Sequence, residues 1–525
     1  MHPSHEDVKA AAKHIPVVDG EKVGTVDSAL TFLHSATVTM TSTEEEKRLV
    51  RKVDWMIMPL LSAVYLMQFI DKNLINFANI MGLGKDTHTS PAQFSHLALS
   101  FWVSYLAFEP LSGYLLQKLP VAKYLGFNVV LWGICVTFNC VCKNYASLVA
   151  LRVLLGVFES CVSPAMILVT CMWYKRREQP LRVGIWCGTV GLGIIIGALC
   201  SFGFQHYVGR SFKSWQIMFL LFGLVTIVLG LLVVVFLPDN PMSSKLSDQE
   251  KVLAIERLRG DTTGVENKNF KPSQMFEALK DPHTWLICVI TTAINIPNAA
   301  VSTFQAGIIL SLGFTPKEAA LLNIPSGVIG IIAMLSACYI SYRYSNRSFV
   351  IVSLLVPGII GASLMAFLPI SSKIGRLFGT YLTNTIPSST PLIYSWVAAN
   401  VAGHTKKVTM NALLLMAFCL GNILGPLTFT NPPDYISAKI TIIAVLGLAI
   451  LLIFVLASIY HRENSRRAER GDLGQGMCDS SFLDLTDRQN KEFKVRYDKL
   501  NSSYETHDIV TPVHMVAKLV QAVVS

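Results

Sequence analysis

The stretch Met56–Met81, MIMPLLSAVYLMQFIDKNLINFANIM, decides the class of fold. A helix needs about 20 predominantly apolar residues to cross ~30 Å of hydrocarbon. This stretch is long enough, and only Asp71 and Lys72 bring formal charge into it. The sequence therefore predicts a membrane-spanning helix that carries an acid and a base near its middle.

The same apolar pattern recurs along the whole chain, six times on each side of a polar segment at 238–283. Two groups of six spans are typical of secondary transporters that are built from two related halves. We therefore predict an all-α membrane protein with twelve transmembrane helices in two six-helix halves. The predicted spans are 55–79, 94–116, 124–142, 146–173, 183–206, 216–237, 284–310, 318–341, 348–369, 374–398, 408–430 and 438–459.

The composition agrees with a multi-pass membrane protein. Of 525 residues, 52% are hydrophobic and 15% are charged, and the mean hydropathy is +0.48. A soluble domain carries about 25% charged residues. The net charge of +10 does not indicate a nucleic-acid partner, because the basic residues lie in loops beside the apolar spans.

No motif for catalysis, phosphate binding or metal binding occurs in the sequence. A glycine-rich phosphate loop that ends in Gly-Lys-Ser/Thr is missing, so ATP-driven pumping is not expected. Ten of the eleven cysteines lie in or beside the spans without metal-ligand spacing, and they are interpreted as packing residues. We expect no enzyme activity, no cofactor and no metal, with a proton gradient as the source of energy.

Loop charges predict the orientation, because cytoplasmic loops carry an excess of Lys and Arg. Basic residues cluster before span one, after span four, in the central loop and after span twelve. Both termini are therefore predicted to be cytoplasmic. The predicted divisions are a polar cytoplasmic tail (1–50), an N-terminal half (51–237), a cytoplasmic central loop (238–283), a C-terminal half (284–460) and a cytoplasmic C-terminal tail (461–525).

Two equivalent spans, the first of each half, carry polar stripes. At 100° per residue the stripes cover about 140° in span one and about 80° in span seven. Matching stripes favour two helices that line one central cavity, although such groups also form hydrogen bonds between helices in bundles. The stripes contain Gln68, Asp71, Lys72, Asn76 and Asn79 in span one, and Thr291, Asn295, Asn298, Ser302 and Gln305 in span seven.

Further charges lie deep in the first half, where a central charge costs about 2.5–3.5 kcal/mol. Span four carries Arg152 and Glu159 on one face, and span two carries Glu109. Loss of water disfavours the charged form of a carboxylate, so Asp71, Glu109 and Glu159 are candidates to carry a proton. Pairing with a base of a neighbouring helix is the alternative for each of them.

Span five is rich in glycine and includes Gly184, Gly188, Gly191, Gly193 and Gly197. Small residues at four-residue spacing allow two helices to approach closely, which is the simplest interpretation. The same surface is also a candidate for sliding during alternating access.

Several segments together resemble the major facilitator superfamily and, within it, the fungal allantoate permease family of anion:cation symporters. The resemblance covers about residues 44–499 and is specific as a combination. The segments are FIDKN at 69–73, QKLPVAKYLG at 117–126, LRVLLGVFES at 151–160, WVAANVAGHTKK at 396–407, GNILGP at 421–426 and DLTDRQN at 484–490. One departure is that Gln117 and Pro120 stand where the superfamily usually has an acid and a glycine.

The resemblance implies import of a small organic anion together with protons, usually across the plasma membrane, although an internal membrane is possible. Known family substrates include ureides, vitamins, sulfur compounds and short peptides. In this hypothesis Lys72 and Arg152 attract the anion, a buried acid carries the proton, and Asn295, Asn298 and Gln305 contact the polar body of the substrate. A monomer in the lipid bilayer is expected to suffice. Efflux of a fungal metabolite or toxin and nutrient sensing by a transporter-like protein remain the alternatives.

Overall fold

The computed structural model describes residues 43–175, 178–207, 212–259, 271–344, 347–369, 371–401, 404–428, 436–469 and residue 486. Within these ranges the chain is helical and forms no strand. The predicted tails 1–50 and 461–525 therefore lie largely outside the described residues.

The N-terminal half is formed by long helices that follow the predicted spans. The first helix begins at Thr43, directly before the three glutamates of its first turn, and continues through span one without a break. The helices are α1 (Thr43–Ile80), α2 (Leu83–Asp86), α3 (Pro91–Lys118), α4 (Val121–Phe138), α5 (Tyr145–Glu159), α6 (Val162–Trp173), α7 (Gln179–Phe204) and α8 (Ser214–Phe236), with a 3₁₀ turn at Asn139–Val141.

The central loop contains two helices, α9 (Asp248–Arg259) and α10 (Pro272–Lys280). The C-terminal half follows with α11 (Pro282–Ser311), α12 (Pro316–Leu321), α13 (Ile324–Tyr344), α14 (Arg347–Phe367), α15 (Lys373–Thr383), α16 (Thr390–Asn400), α17 (His404–Leu427) and α18 (Ile436–Glu469). A 3₁₀ turn at Ile386–Ser389 connects α15 to α16. Helix α18 continues past residue 460, where the sequence predicts the tail to begin.

In the described part of the chain, ten helices are long and apolar enough to cross a membrane. Of the twelve predicted spans, spans two and ten are not among these ten helices. Span two is the 28-residue helix α3, in which Glu109 and several Ser, Gln and His residues dilute the apolar run. Span ten is divided into α15 and α16, because Pro387 lies in the connecting turn and lacks the N–H that a continuous helix requires.

Glycines explain how closely α4 and α8 pack within the N-terminal half. An added Cβ at Gly126, Gly133, Gly223 or Gly230 would lie 2.6–2.8 Å from a backbone nitrogen of the facing helix. Backbone atoms cannot rotate away as a side chain can, so only glycine permits this approach. The outward surfaces of both halves carry exposed large apolar side chains such as Phe127, which is the surface that lipid would cover.

Four pairs of helices form the main contacts between the two halves: α7 with α13, α3 with α17, α1 with α11 and α7 with α12. Gly191 of α7 lies against Gly327 of α13, where an added Cβ would lie 2.5 Å from the opposite backbone oxygen. Asn76 of α1 accepts a hydrogen bond from the backbone N–H of Ala306 in α11 at 3.2 Å. Helices α3 and α17 meet through aromatic rings. A further bond joins the ends that are predicted to be extracellular, since Gln205 Nε2 donates to the backbone oxygen of Pro316 at 3.3 Å.

The two loop helices pack against different halves. Arg257 of α9 is almost fully buried and forms ion pairs with Glu46 of α1 and with Glu178, which directly precedes α7. On the other half, Lys406 of α17 pairs with Glu277 of α10 at 3.0 Å. Thr486 also reaches this place and donates a hydrogen bond to Glu277 at 3.0 Å. The central loop is thus partly folded and held to both halves by charged contacts.

Candidate substrate and proton site

Four charged side chains meet inside the N-terminal half. Lys72 Nζ of α1 lies 2.9 Å from Glu159 Oε1 of α5. The neighbouring Asp71 accepts a hydrogen bond from the indole N–H of Trp132 at 3.2 Å. Arg152 lies near both acids and interacts electrostatically with each of them. We call Asp71, Lys72, Arg152 and Glu159 the charge cluster.

Helical geometry brings these residues together. Arg152 and Glu159 are two turns apart and therefore share one face of α5. Asp71 and Lys72 are adjacent, so their side chains point about 100° apart from α1. One is directed toward Trp132 of α4 and the other toward α5.

The charge cluster is deeply buried and formally neutral. Asp71 is 3% exposed, Arg152 is 4% exposed and Glu159 is 0% exposed. Two acids balance two bases, which fits the rule that buried charges must be paired. Removal of one member of such a group costs about 3–5 kcal/mol, because its partner is left as an uncompensated charge. Any process that changes one charge in the cluster therefore favours a second, compensating change.

Several atoms of the charge cluster lack hydrogen bonds to described residues. They are Asp71 Oδ1 and the Nε and Nη2 atoms of Arg152. Most buried polar atoms in proteins are hydrogen-bonded, so incomplete satisfaction is unusual. Gln68 lies beside Glu159. The cluster thus retains capacity to bind a proton or a polar ligand atom.

Lys72 is the member of the cluster that reaches the boundary between the halves. Its side chain is 21% exposed, whereas that of its partner Glu159 is fully buried. Lys72 Nζ lies 5.4 Å from the centre of the Trp102 ring of α3. That ring contacts Phe418 of α17 in the other half, with 5.6 Å between ring centres. An anion between the halves would therefore meet Lys72 first.

Glu109 lies apart from the charge cluster. It is 8% exposed on α3, and its Oε1 atom has no hydrogen-bond partner in the described part of the chain. Its carboxylate also forms no ion pair with a described residue. Glu109 thus remains a candidate proton carrier that is separate from the acids of the charge cluster.

A cavity of about 40 Å³ lies between the two halves, and Phe69 and Asn73 of α1 contribute to its lining. Asn298 and Gln305 line it, whereas Gln68, Asn76 and Asn295 do not. Asn295 donates to the backbone oxygen of Thr291 at 2.8 Å. The two interpretations of the polar stripes therefore each apply to some residues. The lining residues are Phe69, Asn73, Cys187, Gly188, Val190, Gly191, Ile194, Asn298, Val301, Ser302, Gln305, Gly330, Met334, Asn384, Pro387 and Ser388.

Three polar lining residues were not predicted from the sequence: Asn73, Asn384 and Ser388. Asn384 and Ser388 lie where span ten is interrupted, in the sequence NTIPSS at 384–389. A polar and proline-containing interruption of an apolar span is a signal for a binding site in transporters. This signal is present in the sequence, and the prediction of an unbroken span ten overlooked it.

Two helical halves with buried charges and a cavity at their boundary define the class of this protein as a membrane transporter. The chain belongs to the Major Facilitator Superfamily, whose sequence pattern matches residues 61–426. The members of this family are transporters and not enzymes. The protein is accordingly a multi-pass membrane transporter.

Curated relatives place the chain near the allantoate permease. It is 38% identical to the thiamine pathway transporter THI73 of Saccharomyces cerevisiae over 460 residues, which covers 87% of each chain. It is 33% identical to the allantoate permease of the same yeast over 493 residues, which covers 89% of this chain and 90% of the permease. These similarities support the resemblance that the sequence motifs indicate.

Solved structures share the fold. A bacterial homologue of the human lysosomal transporter Spinster, in an inward-facing and unoccupied conformation, superimposes with a TM-score of 0.59 at 15% sequence identity. The match covers 76% of this chain and 96% of the bacterial protein. An occupied inward-facing structure of the same homologue matches with a TM-score of 0.58. At this identity the likeness concerns the fold alone.

Proposed function

We propose that this protein is a proton-coupled symporter of a small organic anion that works by alternating access. The observation that carries the proposal is the contact between Lys72, which reaches the boundary of the halves, and the buried Glu159. One base and one acid in direct contact provide a way to link substrate binding to protonation.

The linkage follows from the charge balance of the cluster. When Glu159 is ionised it neutralises Lys72, so an arriving anion would leave one uncompensated negative charge in a buried site. When Glu159 binds a proton, Lys72 is free to pair with the anion, and the cluster is neutral again. Proton and anion therefore bind best together, which is the requirement for symport.

The names of two relatives support a proposal for the class of substrate. One is named a thiamine pathway transporter and another an allantoate permease, and allantoate is a carboxylate. A carboxylate of this kind pairs well with the ammonium group of Lys72. We therefore propose a small organic anion of nutrient type, carried across the plasma membrane by a monomer with both termini in the cytoplasm.

Uptake into proteoliposomes tests the proposal. Radiolabelled allantoate and a panel of nitrogen-, sulfur- and vitamin-type anions, selected by growth of a deletion strain on single sources, are the probes. We expect accumulation to rise when the outside is acidified from pH 7.5 to pH 5, and to collapse when a protonophore is added. Transport that is unaffected by the proton gradient would contradict symport. Resistance of cells to a toxin, without uptake of any of these anions, would favour efflux instead.

A variant of the acid separates coupling from binding. Glu159→Gln mimics the protonated side chain, so Lys72 loses its charged partner permanently. We expect this variant to bind the anion at pH 7.5 and to exchange it across the membrane, but to lose proton-driven accumulation. Glu44→Gln, at an exposed position of the same kind, is the control and should behave like the wild type. An unchanged pH profile of Glu159→Gln would eliminate Glu159 as the proton carrier and would leave Asp71 and Glu109 as the candidates.

A further inference from the structure

The proposed function requires Glu159 to gain and lose a proton, although its side chain has no exposed surface. Its ion-pair partner Lys72 neutralises the carboxylate but is itself a base. A general acid or base exchanges its proton only with a group that lies within hydrogen-bond reach, or through an intervening water molecule. A path of titratable side chains is therefore needed between Glu159 and a more accessible place.

Contacts between α3 and α5 show which part of α3 lies level with Glu159. An added Cβ at Gly156 of α5 would lie 3.0 Å from the backbone nitrogen of Tyr105 in α3. Further along both helices, the hydroxyl oxygens of Ser160 and Ser112 lie 2.7 Å apart. The two contacts occur in the same order along both helices, so α3 and α5 run parallel and pack closely over this interval.

A second acid and a tyrosine lie in this interval. Glu159 directly precedes Ser160 in α5, and Glu109 comes one turn after Tyr105 in α3. The two acids are therefore at similar levels on neighbouring helices. Tyr105 is 2% exposed and interacts electrostatically with both carboxyl groups. Its hydroxyl is thus a titratable group that the two acids share.

Glu109 lies at the boundary between the halves. Trp102, Tyr105 and Glu109 follow at three- and four-residue spacing and belong to the buried face of α3. The Trp102 ring contacts α17 of the other half. Cys419 of α17 and Tyr394 of α16 both interact electrostatically with Glu109. Since its Oε1 atom has no hydrogen-bond partner among the described residues, Glu109 has the capacity to exchange a proton where the halves separate.

We propose that Tyr105 passes protons between Glu109 at the boundary of the halves and Glu159 in the charge cluster. The inference rests on the proposed function, in which Glu159 is the acid that binds the proton. The carboxylic acid of Glu109 gives its proton to the hydroxyl oxygen of Tyr105, while that hydroxyl gives its own proton to the carboxylate of Glu159. Glu109 becomes the carboxylate and Glu159 the acid, and the tyrosine is neutral before and after the transfer. The reverse transfer returns the proton to Glu109.

Tyr65 of α1 provides the competing route. It also interacts with Glu159, and it bonds to the thiol of Cys187, which lines the cavity. The groups beyond Tyr65 are this thiol and the phenol of Tyr394, and ordinary thiols and phenols release a proton only above about pH 8. The group beyond Tyr105 is a carboxyl group, which is a far stronger acid. The other titratable groups that face Glu159 are the three remaining members of the charge cluster.

Time-resolved infrared spectroscopy of the purified full-length transporter tests the path without any substrate. A rapid drop from pH 7.5 to pH 5 protonates carboxylates, and each protonated group adds intensity to the carboxylic-acid C=O band. The contribution of Glu159 is the part of this signal that Glu159→Gln lacks. Tyr105→Phe retains the ring but lacks the hydroxyl, so we expect the same final amplitude for Glu159, reached at least about 10-fold more slowly. An unchanged rate would overturn the proposal.

Two further variants locate the path. Glu109→Gln removes the carboxyl group at the boundary, and we expect it to slow the Glu159 signal in the same way. It also decides the proposal if Tyr105→Phe does not fold, and a wild-type rate in Glu109→Gln would contradict the role of Glu109. Tyr65→Phe is the matched control, because it removes the other hydroxyl beside Glu159 and should leave the rate unchanged. Slowing in Tyr65→Phe but not in Tyr105→Phe would place the path through the cavity instead.

The same measurement separates this inference from the proposed function. A Glu159 signal that appears equally fast in Tyr105→Phe and in the wild type would refute the path and leave Glu159 as the proton carrier. A signal that is slowed in Tyr105→Phe, together with uptake that ignores the proton gradient, would support the path and refute symport. A signal that is identical in Glu159→Gln and in the wild type would refute the role of Glu159 and, with it, the path.

Discussion

Substitution of Gly191 by alanine tests how the two halves are held together. Its Cβ would lie 2.5 Å from the backbone oxygen of Gly327 and 2.4 Å from Ile331 Cγ1, both in the opposite half. The side chain of Ile331 can rotate, but the backbone oxygen of Gly327 cannot. Helices α7 and α13 must therefore move apart by about 0.5–0.9 Å before the contact becomes acceptable.

The cost falls on one conformation only. Overpacking of this kind typically costs about 1–3 kcal/mol, and here it applies only while the halves are in contact at this place. A conformation in which α7 and α13 are separated does not have this energetic cost. The ratio of the two conformations should therefore shift about 5- to 150-fold toward separation.

The distance between the end of α7 and the start of α12 is measured in nanodiscs by double electron–electron resonance. Spin labels at positions 205 and 317 report it directly, since Gln205 touches Pro316 in the present structure. Noncanonical amino acids are the suitable attachment points, because the chain has eleven cysteines of its own. We expect a longer distance to dominate in Gly191→Ala. Gly184→Ala lies in the same helix with no atom within 4 Å of its added Cβ, and it should leave the distances unchanged. The same distance distribution in both variants would refute the reasoning.

Three further predictions concern stability, measured as Tm of the purified protein. Gly126→Ala clashes within the N-terminal half, with a Cβ 2.8 Å from a backbone nitrogen, so we expect a loss of about 1–3 kcal/mol without a change in the distances between the halves. Lys406→Met removes the buried base that pairs with the buried Asp281 and the partly buried Glu277, which should cost about 3–5 kcal/mol, whereas Lys47→Met at an exposed pair should leave Tm unchanged. The hydrogen bond from Lys52 holds the pKa of Glu250 below its usual range. The Lys52–Glu250 pair therefore stabilises the folded protein above the pKa of an unfolded glutamate, about 4.3. This stabilisation is lost as the pH falls through the lowered pKa of the folded protein. Glu250→Gln should therefore lower Tm slightly at pH 7, through a loss of stability of no more than about 0.5 kcal/mol at this partly exposed position, and the difference from the wild type should shrink as the pH falls through the lowered pKa.

The sequence predicted the span pattern well because hydrophobic length is a local property. Span one illustrates this, since α1 begins at Thr43 and runs through the predicted interval. Span ten illustrates the limit, because its apolar length alone does not show the break at Pro387, which the polar sequence NTIPSS at 384–389 indicates. The interruption matters for the site, because it places Asn384 and Ser388 at the cavity.

The candidate site was predicted in part. Helical periodicity placed Arg152 and Glu159 on one face, and both lie in the charge cluster. Periodicity could not distinguish Asn295 from Asn298, which lie close together on the helical wheel. The first bonds to its own helix, and the second lines the cavity.

The amino-acid sequence by itself determined that this protein spans a membrane many times, that its halves are alike in shape, and that the buried charges are concentrated in the first half. These properties depend on the length and periodicity of single helices, which neighbours do not alter. Only the tertiary structure decided that Lys72 pairs with Glu159, that Trp132 binds Asp71, and that Asn298 lines the cavity whereas Asn295 does not. A helical wheel states the direction in which a side chain points but not which helix it meets.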